Sequence, residues 1–179
     1  MTTIDGSLVR LRSFEPDEFE AVVRSVAGSA PTVAVGDVDV EDLRKRLETS
    51  GELTDRELLL AIASDGRLLG SIQAYRDGLP AGVFGLGIEL FDGSDRGKGY
   101  GTEAVALLTA HLFDAIGARR VEAGTADDNA AMRGVLVRLG FRQEGVLRGW
   151  YPSDDGAGVD CVVYGMTVND YEEAKTTWT

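Results

Sequence analysis

The sequence predicts a mixed α/β fold with the element order β-α-α-β-β-β-α-β-α-β-β, and three observations carry that prediction. Two apolar runs, 57–63 (ELLLAIA) and 67–76 (RLLGSIQAYR), meet at Asp65-Gly66, the signature of a β-hairpin. Between Thr102 and Ile116, after a glycine-rich turn, Ala104, Leu107, Leu108, His111, Leu112 and Ala115 recur at helical spacing. A length of 179 residues with 44% hydrophobic content suits one ordinary core, so residues 1–179 are expected to form a single domain.

The remaining elements follow in order. Residues 7–12 (SLVRLR) alternate as a short strand, and Pro16 opens a helix running to about Ala27. Residues 28–39 are rich in Gly, Pro and small side chains and read as a loop, with a helix from Val40 to about Thr49 beyond it. After the hairpin, Asp77-Gly78-Leu79-Pro80 breaks the chain before the strand 83–91 (VFGLGIELF). Gly117 closes the amphipathic helix as a C′ residue, and 118–125 is a strand. Asp127 or Asp128 is expected to cap a helix in which Met132, Val135, Leu136 and Leu139 share a face and Gly140 is the stop. Residues 141–151 and 159–168 then form a hairpin around PSDDGAG.

Composition excludes several functions. Lys and Arg total 18 against 30 Asp and Glu, a formal net charge of −12, with acidic excess in both halves. Binding to a nucleic-acid backbone or an anionic membrane needs a basic footprint, so neither partner is expected. One histidine, His111, leaves no two-histidine zinc site, and a serine triad would have to use it; no metal is expected. One cysteine, Cys161, allows no internal disulfide, which fits a reducing compartment. The N-terminus lacks the apolar segment of a signal peptide, and no run approaches a membrane span, so a soluble cytoplasmic protein is expected.

The segment 92–104, DGSDRGKGYGTEA, lies between an apolar strand and the amphipathic helix. Glycines let backbone N–H groups converge there, and a helix N-terminus adds about half a positive charge, so the turn is an anion site. Arg96 and Lys98 add side-chain charge. A phosphate-binding loop of the Walker type fails, because only three residues separate Gly93 from Gly97-Lys98 and Gly99 follows. The dinucleotide pattern G-x-G-x-x-G/A is met by Gly99, Gly101 and Ala104, with Glu122 near the ribose position. Too little chain follows for a doubly wound sheet, however, and the preceding strands read as an antiparallel meander.

A third template, R/Q-x-x-G-x-G/A, is met by Arg96, Gly99 and Gly101, and Asn129-Ala-Ala-Met132 precedes Gly140-Phe141. These two blocks, in this order, resemble the GCN5-related N-acetyltransferase (GNAT) superfamily. The strings SLVRLRSFEPDE, GKGYGTEA and EGVLRGWY…DCVVYGM look like its RimJ/RimL-type bacterial branch, whose members acetylate protein N-termini or small amines. The resemblance runs over essentially the whole chain. It implies acetyl-CoA as co-substrate and a small-molecule amine or peptide N-terminus as acceptor, and it allows a homodimer. It also implies that Gly97, Gly99 and Gly101, with Arg96, Lys98, Tyr100 and Thr102, hold the coenzyme pyrophosphate. The strand edge near Leu90 and Phe91 would pair with the pantetheine amides. Asn129 would contact the pantetheine or acetyl end, serve as a helix N-cap, or do both.

Direct transfer from a thioester requires a neutral amine and donors for the developing oxyanion. Gly85, Gly87, Glu89 and Phe91 share one face of strand 83–91, and the two glycines are expected to clear a cleft beside Glu89, the first choice of general base. Asp160 is the second. Many superfamily members carry a tyrosine seven residues after the Asn, where this chain has Leu136; the RimJ/RimL-type branch often carries a serine where it has Met132. Tyr151, Tyr164 and Cys161 are the remaining side chains that could protonate the departing thiolate, and solvent can do so unaided. The missing hydroxyls keep a second reading open, an acetyl-CoA-binding sensor with weak catalysis.

Overall fold

In the computed structural model, which describes residues 1–28, 39–153 and 155–178, Asp65 and Gly66 both adopt left-handed backbone angles (φ 50° and 76°). That is the turn geometry whose twist matches a tight hairpin. It joins β3 (Glu57–Ser64) to β4 (Arg67–Tyr75), and β5 (Val83–Leu90) continues the antiparallel meander. Upstream lie a short hairpin of β1 (Ile4–Asp5) and β2 (Arg10–Arg12) and the helices α1 (Phe19–Gly28) and α2 (Val40–Glu48). Downstream follow α3 (Tyr100–His111), β6 (Arg120–Ala126), α4 (Ala130–Arg138), β7 (Arg142–Tyr151), β8 (Val159–Thr167) and α5 (Val168–Ala174). The loop expected over 28–39 falls, except for its end residues, outside the described residues.

Three expectations need correction, and one short strand is added. The strand expected at 7–12 begins only at Arg10, because Ser7, Leu8 and Val9 turn their amides towards Glu103 on α3. The strand β1, invisible as a two-residue element, pairs with β2. The N-cap of α4 is Asn129 rather than Asp127 or Asp128; the Asp127 carboxylate accepts from Arg133 instead. The last strand stops at Thr167, whose hydroxyl accepts from the Asp170 N–H and starts α5, an element the apolar run VDCVVYGMTV conceals.

The eight strands form one sheet in the order β1-β2-β3-β4-β5-β6-β8-β7, antiparallel except for β5 beside β6. On one face, Leu58, Leu60, Ile62, Ile72, Leu86 and Val121 pack with Val105, Leu108 and Leu112 of α3 and its extension and Leu136 of α4. On the other, Leu59 packs with Val22 of α1 and Leu43 and Leu47 of α2, joined by Phe91. β7 is an edge strand interrupted by two register shifts, at 143–145 and at 147–151. Among the described residues no helix is long and apolar enough to cross a membrane.

Glu103 joins the N-terminal hairpin to the first turn of α3. Its carboxylate accepts from the backbone N–H groups of Ser7, Leu8 and Val9 at 2.8, 2.7 and 2.7 Å. Hydrogen bonds to a charged acceptor are the stronger class, and Val9 is buried, so its amide has no ready water substitute. Glu103→Ala is expected to cost about 2 kcal/mol in urea unfolding, with the slope unchanged. A variant with the wild-type midpoint would show that the tie carries no net stability.

Candidate active site

Among the described residues, the one parallel pairing in the sheet is brief. β5 meets β6 at Val83–Arg120, Phe84–Val121 and Gly85–Glu122, and beyond Gly85 the two strands part. β5 remains paired with β4 through Gly70–Leu90, and the Phe91 N–H donates to Leu69 O at 2.9 Å. By alternation along a strand, the N–H and C=O groups of Leu86, Ile88 and Leu90 then point to the side that β6 vacates. The expected strand edge thus rests on Leu90 and the residues before it, while the Phe91 amide is committed to β4.

Parallel strands end on the same side of a sheet. The chain leaving β5 makes the glycine turn and enters α3, and the chain leaving β6 enters α4, so two helix N-termini flank the opening. The turn is built around Asp95. Asp92 accepts from Ser94 N at 2.8 Å and starts a 3-10 turn, Gly93–Asp95, that rotates Asp95 inward to 2% exposure. Arg67, the first residue of β4, grips both Asp95 oxygens at 2.8 and 2.9 Å, and Lys98 Nζ donates at 3.1 Å. The guanidinium above all, with Lys98, holds the Asp95 carboxyl down at about 2. No local pattern marks this pairing, since Arg67 lies in another hairpin.

Gly97 and Gly99 have φ of 76° and 89°, which β-carbons disfavour. Gly101 differs. Its φ is not left-handed, and a Cβ there would meet only Ile88 and Leu90 methyls at 3.8 and 4.0 Å. A glycine inside a helix costs about 1 kcal/mol relative to alanine, and nothing in the surrounding chain requires this one. The space beside its backbone is open to within ordinary contact of those two methyls. Gly99, the N-cap of α3, brings no capping side chain to the amides of the first turn, Tyr100, Gly101 and Thr102. Arg96 and Lys98 are exposed beside them.

Glu89 lies one residue before Leu90, on the face covered by α1, and accepts from Ser25 Oγ at 3.2 Å. The cleft expected from Gly85 and Gly87 is filled. A Cβ at Gly85 would overlap the Tyr75 ring from the opposing strand, and one at Gly87 would meet Gln73 Nε2 at 3.1 Å. Gln73 is held in turn by Arg46 of α2 at 2.8 Å. The glycines seat two side chains that floor the site beside Glu89, and sequence alone could not supply the register that pairs them.

Asp160 projects from the opposite face of the sheet, since Cys161, opposite Ala126, shares the face of Glu122 and Gly85. Its carboxylate accepts from Gly149 N at 2.8 Å and fixes the second irregularity in β7. The Tyr151 hydroxyl accepts from Cys161 Sγ at 3.5 Å and lies 3.9 Å from where a Gly124 Cβ would stand, on the part of β6 that β5 leaves. Burial, with the Cys161 contact, raises the Tyr151 phenol well above its ordinary range, and burial, with Glu122, raises that of Tyr75. Both are protonated at neutral pH. Tyr164 is buried on the opposite face, where Arg133 Nε donates to its hydroxyl at 3.4 Å. Asn129 Oδ1 accepts from Met132 N at 3.1 Å, leaving its amide nitrogen as a donor at the mouth of the opening. Among the described residues no cluster of His, Cys, Asp and Glu is arranged to hold a metal.

A mixed sheet parted between two parallel strands, with a glycine turn and two helix N-termini at its mouth, is the frame on which the site is built. The particular family follows from the comparisons: the sequence model of the acetyltransferase (GNAT) domain matches residues 9–142, and the chain belongs to that family. A curated relative, "Probable N-acetyltransferase YjcK" of Bacillus subtilis (strain 168), is 33% identical over 116 residues, 61% of this chain and 62% of that protein. The chain thus spans less than two thirds of that relative's length. Among solved structures, RimJ of Mycobacterium smegmatis in complex with CoA-disulfide superposes with a TM-score of 0.78 at 24% identity, over 98% of this chain and 92% of that one. A GNAT-family acetyltransferase from Bacillus anthracis gives 0.75 at 21% identity, over 93% and 98%. The fold is theirs.

The depressed Asp95 carboxyl makes a pH prediction. Its folded value lies below its ordinary 3.8, so the stabilisation it brings is present above that value and is lost as pH falls through about 2. Carbon NMR of the Asp95 carboxyl should give a midpoint near 2. A midpoint near 3.8 would mean that the Arg67 pair does not form in solution.

Proposed function

We propose that this protein is an N-acetyltransferase that moves the acetyl group of acetyl-CoA directly to a primary amine, on a peptide N-terminus or a small molecule. The observation that carries the reading is the vacated edge of β5 running straight into the glycine turn. An extended arm with amide groups fits beside Leu86, Ile88 and Leu90 as a strand neighbour, and its anionic end fits the turn. The room against Gly101 suits a phosphate approaching the backbone. The solved RimJ relative is a CoA-disulfide complex, which supports the same occupant here.

Acetyl-CoA supplies the reactive thioester carbonyl. Glu89 takes a proton from the incoming ammonium, directly or through water, so that the nitrogen lone pair can attack. The backbone N–H groups at the end of β5 face the position where negative charge develops on the carbonyl oxygen. The C–S bond then breaks, and the departing sulfur receives a proton from solvent or from the protonated Tyr151. Asn129 donates its amide N–H groups to the same arm. Asp160 falls behind Glu89 as a base, because it points to the other face and secures β7. The chain's net charge of −12 favours a cationic acceptor. One cysteine, buried at Cys161, fits a reducing, cytoplasmic setting.

Two variants test the reading. Gly101→Val should abolish acetyl-CoA binding in calorimetry while the melting temperature stays within a few degrees; retained affinity would put the coenzyme elsewhere, and tight binding of NADH by the wild type would favour a dinucleotide instead. With an acceptor selected from an amine panel by thiol release, Glu89→Gln should lower kcat at neutral pH by about 10²-fold, with coenzyme affinity unchanged. Wild-type turnover in that variant would remove Glu89 from the mechanism.

A further inference from the structure

The glycine turn holds a carboxylate in an unexpected place. An anion site gains nothing from a negative charge of its own, yet Asp95 is enclosed beneath the turn, 2% exposed, with both oxygens on Arg67 and one shared with Lys98. The two cations are the reverse: Arg67 is 56% exposed and Lys98 50%. The carboxylate is thus an anchor from which two long side chains extend to the surface. Arg67 uses one edge of its guanidinium on Asp95 and keeps its other N–H groups, and Lys98 keeps donors as well.

Two effects of opposite sign follow for an anionic ligand. The Asp95 charge offsets one of the two cations, which weakens attraction. The same contact fixes the rotamers of Arg67 and Lys98 before the ligand arrives, which removes an ordering cost otherwise met on binding. Arg67 comes from the start of β4, beside the exit of β5, and its hydrogen bonds with Asp95 fix where its guanidinium lies. A turn needing only closure could be closed by a neutral side chain without burying a charge.

We propose that Asp95 is a positioning residue for the phosphate end of the coenzyme: it presents Arg67 and Lys98 as an arranged pair of cations beside the first-turn amides of α3, and makes Arg67 a coenzyme contact from outside the glycine turn. The inference rests on the acetyl-CoA reading above and adds a residue to it. Phosphates are its object, so it separates acetyl-CoA from S-acetylpantetheine, which has the same thioester arm and no phosphate.

The experiment measures both ligands on the wild type, Asp95→Asn and Arg67→Lys, by calorimetry for acetyl-CoA and amide NMR titration for S-acetylpantetheine. Both variants should bind acetyl-CoA about tenfold more weakly, the scale of ordering two long side chains, and S-acetylpantetheine within about twofold of wild type. Arg67→Lys keeps the charge and loses only the two-pronged grip, so its loss would be one of geometry. It alters an exposed side chain and decides the question if Asp95→Asn does not fold. Unchanged or tighter acetyl-CoA binding would overturn the proposal and leave Asp95 as a counter-charge. Equal losses for the two ligands would overturn it in favour of a general deformation of the site. A wild type that binds neither ligand would overturn the acetyl-CoA reading itself.

Discussion

A backbone amide inside a sheet needs a partner, and the parting of β5 from β6 withdraws one along half a strand. After Gly85 and Glu122 no further residue of either strand faces the other, so the edge groups of Leu86, Ile88 and Leu90 lose β6 as a neighbour. The chain exits and the helices that follow them are organised about that gap. The parallel direction of the two strands sends both chain exits to one end, and each exit is turned into a helix N-terminus. The result is a slot with hydrogen-bonding capacity along one wall and positive potential at its mouth.

The slot would close if the helices on either side could drift, and polar ties between distant segments prevent it. Glu103 fixes the start of α3 to residues 7–9. Leu8, carried by the same turn, lies against Gly99, its methyl 3.1 Å from where a Cβ would be. Arg46 reaches from α2 to Glu57 at 2.6 and 2.9 Å and to Gln73, so α2 is tied to β3 and β4 beneath Glu89. On the far side Arg120 binds Glu144 across the sheet, with Gly165 leaving the space that this ion pair fills.

Local chemistry was legible in the sequence, and pairings across the sheet were not. Asp65-Gly66, the run of glycines from 97 to 101 and the helix stops at Gly117 and Gly140 each encode a backbone conformation within a few residues, and each stands where the pattern put it. Strand alternation puts Glu89 on the face of Gly85 and Gly87, but the empty space expected beside it is filled by Tyr75 and Gln73. Whether Gly85 and Gly87 face empty space depends on which residues of β4 lie opposite, and that register is set by the whole meander. Nothing near Asp95 in the sequence marks it as enclosed, because its partner, Arg67, is 28 positions away. The helix α5 was hidden because VDCVVYGMTV stays mostly apolar and β-branched to its last residue, and only the Thr167 cap ends the strand.

The two irregularities in β7 have a bearing on how the molecule behaves in a crowded solution. This ten-residue strand lies at the border of the sheet, and Val146, Leu147 and Trp150 on it are exposed. A flat border of that length and composition would be a template for strands of other copies, stacking molecule on molecule. The register shifts kink the strand twice, one of them pinned by the Asp160 carboxylate on Gly149 N. Kinks of this kind break the row of evenly spaced backbone groups that a foreign strand would need. Asp160 thus helps to keep the border of the sheet irregular.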